Sequence, residues 1–212
     1  MIIDTAVPME HTIQLYAKPD RLESILALWE YLCKNGYLHA PASSRADYHN
    51  AYSGGLFDHS CGVVEHLFAL HEAGFGSLYT KESLFLVGLF HDAGKVCDGF
   101  GRTNYVPNTL ASGNVSAAKP YKHNKEIVSL SSAYKSVLLV SRFVDLYEDE
   151  MQAIAHHDYL WVPEGRLLAV SAVCPLTLML HFADMWAGVY KEPSKSLLHT
   201  LPDRNLVKFC KS

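Results

Sequence analysis

The sequence has no long apolar run, no leader-type pattern at its N-terminus and no paired-cysteine motif, and each of these features argues against a class of protein. The apolar stretches are too short and too often interrupted to cross a bilayer, which needs about 20 consecutive apolar residues. The N-terminus lacks a basic region followed by an apolar run, so we expect no signal peptide and a cytoplasmic location. The five cysteines show no CxxC spacing, which argues against a zinc ribbon or a disulfide framework and suits a reducing compartment.

Positive charge is also scarce. The chain has 18 Lys and Arg residues against 22 Asp and Glu residues, and its formal net charge is −4. Broad, sequence-independent binding to nucleic acid draws on clustered Lys and Arg, so this balance argues against it, although a local basic pocket remains compatible. The length of 212 residues and the hydrophobic content of 49% suit one domain with a sizeable core.

Strand-type alternation is absent as well, and the apolar periodicity is helical throughout. It predicts an all-α bundle of about seven helices. Asp20 and Glu23 form the pattern of a capping box, and Gly36 is suited to end that first helix. Expected caps further along are Thr80 for the third helix and Ser131 or Ser132 for the fourth. The predicted helices cover 20–33, 56–73, 80–90, 131–146, 148–157 and 175–190, with two long functional loops over 97–125 and 158–174.

A His-Asp pair is the most informative motif. His91 and Asp92 occur in Leu-Phe-His-Asp-Ala-Gly-Lys, at the end of an apolar predicted helix. A neutral imidazole and an adjacent carboxylate can clamp one divalent metal ion, and Lys95 can reach a phosphate on that ion. His59 and Asp184, each in an apolar part of another helix, can complete the site, because carboxylates are rarely buried without a partner. A core salt bridge can explain one such residue. It explains less easily why three helices each carry a His or Asp on an apolar face.

The order of these residues, H…HD…D, resembles the HD-domain superfamily of metal-dependent phosphohydrolases over roughly residues 40 to 190. The segment 40–59, in which Gly-Gly-Leu precedes the first histidine, is similar to HD domains of bacterial 3'-5' exoribonucleases, of conjugative-relaxase-like proteins and of small phage and bacterial hydrolases. The resemblance implies that Arg45 and His49 lie near the substrate; the alternative is that they order the turn. It also implies a single HD core over 40–192, an N-terminal helical segment over 1–39 packed on that core, and a C-terminal tail over 193–212.

The number of metal ions is a separate question. Some HD proteins bind two ions through additional histidines, and His123, His156 and His157 are the candidates for such a second site. In the resemblance, however, the position of the middle histidine falls on Ser132. We therefore expect one tightly bound ion on the four ligands named above. Histidine with carboxylate ligands favours Mn, Fe, Co, Ni or Zn over Mg or Ca.

The loop after the His-Asp motif is locally basic. Lys95, Arg102, Lys122 and His123 occur there among few acidic residues. Such groups hold anionic substrates, and arginine grips phosphate through two donors, so we expect a small anionic phosphate substrate, a nucleotide in the first place. A solvated loop is the structural alternative.

The leading hypothesis is a small soluble phosphohydrolase acting on a nucleotide or another small phosphate ester. In it a metal-activated water attacks phosphorus, and Lys95, Asp92 and His157 serve the reaction. The second hypothesis is a phosphodiesterase or 3'-5' exonuclease acting on nucleic acid or a cyclic nucleotide, which the segment 40–59 suggests. A di-iron oxygenase and a non-catalytic, metal-binding regulatory module are the remaining alternatives.

Overall fold

Helices dominate the described part of the chain, which confirms the prediction of an all-α fold. The computed structural model describes residues 8–158 and 172–189. Within these ranges, seven α-helices surround one apolar core. They are α1 (Met9–Tyr16), α2 (Leu22–Lys34), α3 (Gly55–Glu72), α4 (Lys81–Phe90), α5 (Ser132–Val140), α6 (Glu148–Ala155) and α7 (Pro175–Val189).

Two short turns and a small hairpin join the helices. The 3-10 turns Tyr37–His39 and Ala93–Lys95 follow α2 and α4. An antiparallel hairpin of β1 (Tyr105–Pro107) and β2 (Tyr121–His123) lies within the loop 97–125, which the sequence predicted to be irregular. That prediction is corrected here. Strands of three residues are too short to show the alternation from which strands are recognised.

Three helix boundaries follow the predicted local pattern. At the start of α4, the Thr80 side chain accepts the backbone N–H of Ser83 at 3.2 Å. At the start of α5, Ser131 accepts the backbone N–H of Tyr134 at 3.3 Å. Gly36, just beyond α2, has a φ of 96°, in the left-handed region that commonly ends helices.

The start of α2 differs from its prediction. The helix begins at Leu22 with Arg21 at the N-cap position, and no side chain caps it, so the expected capping box of Asp20 and Glu23 is wrong. The Arg21 side chain turns inward instead and donates to both carboxylate oxygens of Glu150. The side chain at this boundary therefore bonds to a buried partner on another helix, which local sequence does not reveal.

Two further differences concern helix extent. Helix α5 ends at Val140, before the predicted end near residue 146. Val144 and Leu146, which continue the apolar pattern, are buried from non-helical backbone instead. Helix α1 was not predicted, because it is short and buries only Met9 and Ile13.

Helix α4 is the central element of the core. All of its residues from Glu82 to Phe90 are buried. Helix α3 packs against both α4 and α7. Gly88 permits the close approach of α3 and α4, because a Cβ atom there would lie 2.7 Å from Val64 Cγ2. This packing brings the end of α4 beside the first turns of α3.

The Gly-Gly pair ahead of α3 has a steric explanation. Gly54 has a φ of 89°, which side-chain-bearing residues rarely adopt. A Cβ atom on Gly55 would lie 2.1 Å from the carbonyl oxygen of Asn50. The Asn50 side chain in turn donates to the Gly55 carbonyl oxygen at 3.1 Å. The chain therefore turns tightly into α3, and His59 falls one turn into that helix.

The N-terminal helices share the core of the remaining helices. Buried residues of α1 and α2 belong to the same apolar cluster as those of α3, α4, α6 and α7. The boundaries 1–39, 40–192 and 193–212 stay predictions. Residues 193–212 and most of the predicted loop 158–174 lie outside the described residues. None of the described helices combines the length and the apolar character that crossing a membrane requires.

Candidate metal centre

The four predicted metal ligands meet at one place in the structure. His59 lies in the second turn of α3, His91 and Asp92 directly follow α4, and Asp184 lies in α7. The three residues His59, His91 and Asp92 are buried, while 16% of the Asp184 side chain is exposed. The site is therefore an internal cluster with one side towards solvent.

Short distances join these side chains. His59 Nε2 lies 2.8 Å from Asp184 Oδ1, and His91 Nε2 lies 3.7 Å from the same oxygen. His91 Nε2 lies 3.4 Å from Asp92 Oδ2. Donor atoms on one ion with bonds of about 2.1 Å are roughly 3 to 4 Å apart, so the spacing fits a metal site.

His157 and Asp158 enlarge the group. His157, just beyond α6, has Nε2 3.5 Å from Asp92 Oδ1 and 3.8 Å from Asp158 Oδ2. In each of three sets, the ligand atoms lie within 4.8 Å of one another: His59, His91 and Asp184; His91, Asp92 and His157; His157, Asp158 and Asp184. We call these six residues the His/Asp cluster. Asp158 was not predicted as a ligand, although His157-Asp158 repeats the dipeptide His91-Asp92 and that repeat is visible in the sequence.

Hydrogen bonds from the Nδ1 atoms orient two of the imidazoles. His91 Nδ1 donates to the Gly88 carbonyl oxygen at 2.9 Å, and His157 Nδ1 donates to the Ile154 carbonyl oxygen at 2.8 Å. Each ring therefore directs an unprotonated Nε2 into the cluster when it is neutral. Within the described chain, His91 Nε2 and Asp92 Oδ1 are buried without a hydrogen-bond partner. Such orphaned atoms fit a metal ion as the absent partner.

The charges in the cluster are strongly coupled. Burial raises the pKa of the Asp92 carboxyl. The positive charges of Lys95 and His91 outweigh burial and hold that pKa well below its ordinary value. Burial likewise opposes ionisation of Asp184, and His59 and His91 hold its pKa well below the ordinary range. Burial lowers the pKa of His91, yet Asp92 and Asp184 raise it to about 10. The two ionised carboxylates therefore attract a cation. When no metal ion is bound, a proton on His91 supplies positive charge beside them.

Lys95 lies directly against the predicted ligand Asp92. Its Nζ is 2.6 Å from Asp92 Oδ2, and 17% of its side chain is exposed. Burial lowers the Lys95 pKa, but the Asp92 charge outweighs burial and raises it, so the ammonium group is protonated at neutral pH. Lys95 occupies one oxygen of Asp92 and leaves Oδ1 to face His157.

His49, predicted to lie near the substrate, is brought to the cluster. Its ring packs on the His59 ring with centroids 4.6 Å apart. On its other side lies Gly188, one helical turn beyond Asp184, where a Cβ atom would be 3.1 Å from His49 Nδ1. Burial, with the charges of His59 and Lys95, lowers the His49 pKa to about 4. The imidazole is therefore neutral, and its buried Nε2 has no hydrogen-bond partner among the described residues.

The two predicted substrate arginines lie outside the cluster. Arg45 is on the surface and pairs with Asp47, with Nη2 2.7 Å from Oδ2. Arg102 Nε lies 2.6 Å from Asp98 Oδ2, and its Nη1 donates to the Glu126 carbonyl oxygen at 3.0 Å. Both guanidinium groups bond to neighbouring residues of the protein. Their role towards a substrate stays a prediction.

The remaining predicted residues also lie apart from the cluster. Lys122 and His123 are exposed on β2, where the His123 ring packs on the Tyr105 ring at 4.8 Å. The His156 ring faces Tyr134 at 6.4 Å and lines an apolar groove between α5 and α6. Neither His123 nor His156 belongs to any of the three sets within the described residues. Of the histidines considered for a second ion, the structure brings only His157 to the cluster.

Ser132, the position expected for a second-site histidine, lies at the start of α5 against the turn that carries Lys95. A Cβ atom on Gly94 would lie 2.3 Å from the Ser132 carbonyl oxygen. The Gly94 backbone N–H donates to Ser136 Oγ at 2.8 Å. Backbone and side-chain contacts of α5 with Gly94 therefore occupy this region.

No protein-family model, curated protein or solved structure matches this chain. The likeness to HD domains consequently rests on the sequence motif itself. The geometry of the His/Asp cluster is the observation from which a function can be argued.

Proposed function

We propose that this chain is an HD-domain protein and a metal-dependent phosphohydrolase that acts on a nucleotide or another small phosphate ester in the cytoplasm. The His/Asp cluster supports this proposal most directly. Its members come from four separate places in the chain and are largely buried, and carboxylate oxygens and imidazole nitrogens converge in it. A cluster of this charge and composition is expensive to bury without a ligand.

In this proposal His59, His91, Asp92 and Asp184 hold one divalent ion, and His157 lies next to them. Two imidazole nitrogens and two carboxylates suit Mn, Fe, Co, Ni or Zn. A bound ion of this kind lowers the pKa of a ligated water and neutralises charge on a phosphoryl group. The Gly88 carbonyl oxygen fixes the tautomer of His91, so the protein presents a ready ligand atom.

Lys95 and His49 supply the proposed contacts to the phosphate ester. The ammonium group of Lys95 is protonated and partly exposed beside Asp92, where it can also neutralise a phosphoryl oxygen. The neutral imidazole of His49 has a buried nitrogen available for a hydrogen bond. Lys122 and Arg102 in the neighbouring loop add positive charge for an anionic substrate.

A substrate screen tests the proposal. Protein loaded with Mn, Co or Ni is offered deoxynucleoside triphosphates, nucleoside monophosphates, cyclic nucleotides and short RNA. We expect release of phosphate or nucleotide from at least one small substrate, and loss of that activity in Asp92→Asn. Asp145→Asn, which alters an exposed carboxylate outside the cluster, is the matched control and should keep the activity. Absence of turnover throughout, or full activity of Asp92→Asn, would reject the proposal, and cleavage of RNA alone would favour an exonuclease.

A further inference from the structure

A cavity beside the loop that follows the His-Asp motif contains three cationic side chains. Its volume is about 190 Å³, and among the described residues it is lined by Arg102, Lys135 and Arg142 together with one carboxylate, Asp98. Its walls also include the apolar side chains Phe100, Val128, Leu130 and Leu138. Of the described residues that line it, none belongs to the His/Asp cluster. This space, which we call the basic cavity, is therefore separate from the metal centre.

Two of the three cations have no carboxylate partner within the described chain. Arg102 is neutralised by Asp98, with Nε 2.6 Å from Oδ2. Lys135 Nζ donates instead to the side-chain oxygen of Asn104 at 3.0 Å. Arg142 Nη1 donates to a backbone carbonyl oxygen at 3.1 Å. Both of these acceptors are uncharged, so the basic cavity carries two positive charges in excess.

Lys135 is the cation whose surroundings most favour an anion. Burial lowers the pKa of its ammonium group, and the charge of Asp98 only partly opposes that effect. An anion in the basic cavity would favour the charged form and reduce the cost of burying it. Arg142 lines the same cavity, and a guanidinium group can hold an oxyanion through two donors. Lys135 and Arg142 are therefore the expected contacts for an anion.

Exposed apolar side chains line the same cavity. Phe100, Val128 and Leu138 are 81%, 80% and 58% exposed. The Arg142 guanidinium carbon lies 5.8 Å from the centroid of the Phe100 ring. Singly exposed apolar residues are common, but three around one concavity that also contains charged groups are typical of a small-molecule site. A ligand that suits this lining combines an oxyanion with a flat apolar body.

We propose that the basic cavity binds a small organic acid, with its oxyanion at Lys135 and Arg142 and its planar apolar body against Phe100 and Leu138. The volume of 190 Å³ corresponds to roughly six water molecules at about 30 Å³ each, which suits a molecule of one or two rings. The oxyanion is a carboxylate or a phosphate group. This site adds to the proposed function and does not rest on it.

Calorimetric titration of the Mn²⁺-loaded wild-type chain with 2-naphthoate tests the proposal. We expect one site, from which 2-naphthylphosphonate, a phosphate analogue that resists hydrolysis, displaces the probe. The tighter of these two ligands identifies the natural oxyanion as carboxylate or phosphate. Neutral 2-naphthol lacks the charge and inorganic phosphate lacks the apolar body, so each should displace 2-naphthoate at least tenfold less well.

Substitutions locate the bound acid. Lys135→Met keeps the length of the side chain and should weaken 2-naphthoate binding at least tenfold. Arg142→Gln, at an exposed position, should do the same, and circular dichroism shows that each variant is folded. Lys81→Met is the matched control, because it removes a lysine at the start of α4 that does not line the cavity. Its affinity for 2-naphthoate should equal that of the wild type.

The outcomes also separate this site from the metal centre. Asp92→Asn should bind 2-naphthoate as the wild type does, because Asp92 does not line the basic cavity. Loss of binding in Asp92→Asn would assign the acid to the metal centre and overturn the proposal. Equal displacement by 2-naphthol, or full affinity in both Lys135→Met and Arg142→Gln, would overturn it as well. None of these results depends on turnover, so failure of the proposed phosphohydrolase activity is observed independently.

Discussion

Two arginine–carboxylate pairs in this protein are bidentate and differ in burial. Arg21 donates to both oxygens of Glu150 at 3.1 and 2.8 Å, and these side chains are 7% and 1% exposed. Arg45 donates to both oxygens of Asp47 at 2.9 and 2.7 Å, and these side chains are 51% and 57% exposed. The same Arg→Met substitution in each pair therefore compares the loss of a buried pair with the loss of an exposed one.

Arg21→Met is expected to lower the free energy of unfolding by about 3–5 kcal/mol, the usual cost of removing one partner of a buried ion pair. It leaves Glu150 buried without its cation and also removes the guanidinium 3.7 Å from the buried Glu82. Lys18, 3.7 Å from the other Glu82 oxygen, is 44% exposed and compensates little. For a chain of this length the fall in Tm should be on the order of 10 °C. Urea and thermal unfolding followed by circular dichroism measure both quantities.

Arg45→Met is the control, and its unfolding midpoint should equal that of the wild type, because solvent screens exposed pairs. Adding Glu150→Met to Arg21→Met should recover part of the lost stability, since apolar side chains can replace a buried pair. Equal midpoints for Arg21→Met and Arg45→Met would refute the reasoning, because burial is the principal difference between the two pairs.

Three further predictions concern the metal centre and the helix that carries His59. Burial lowers the pKa of His91 but the two adjacent aspartates raise it to about 10, so metal-free protein should lose stability as pH rises from 6.5 towards 10. Over the same range Mn²⁺ should bind more tightly and release protons, and calorimetry in two buffers that shows no proton release would contradict this. Gly55→Ala should lower Tm because its Cβ meets a backbone oxygen at 2.1 Å, whereas Gly62→Ala in the same helix meets only an ordinary contact at 3.7 Å and should raise it. His49→Phe should keep the packing on His59 and the Mn²⁺ affinity but raise KM; an unchanged KM would remove His49 from substrate binding.

The sequence was most informative where a property depends on neighbouring residues. The cap at Thr80 and the turn at Gly36 follow from local backbone chemistry, and both are present. The spacing of His59 from the Gly-Gly pair is equally local, because tight backbone contacts determine where α3 begins. The failed capping box at Asp20 shows the limit of such inference. There, a partner 129 residues away along the chain draws Arg21 inward.

The predicted substrate residues also show what local sequence cannot predict. Arg102 was predicted to bind phosphate from its position in a basic loop; in the structure its side chain contacts Asp98 and a backbone carbonyl oxygen, and its role towards a substrate stays a prediction. His49 was predicted, with Arg45, from the resemblance of the segment 40–59, and it lies against His59 in the cluster. The difference lies in the packing partner. Gly188 on α7 leaves room for the His49 imidazole, and the sequence near residue 49 gives no indication of that contact.

By itself the sequence determined the helical class and indicated the His-Asp motif as a candidate metal-binding site, because periodicity, caps and adjacency are properties of short segments. Only the tertiary structure decided which side chains join that motif besides His59 and Asp184. His156 and His157 are neighbours at the end of α6, and the docking of that helix against α4 and α7 turns His157 inward and leaves His156 beside a surface groove. Asp158 joins the cluster for the same reason, since distant helices must pack before its carboxylate comes near Asp184.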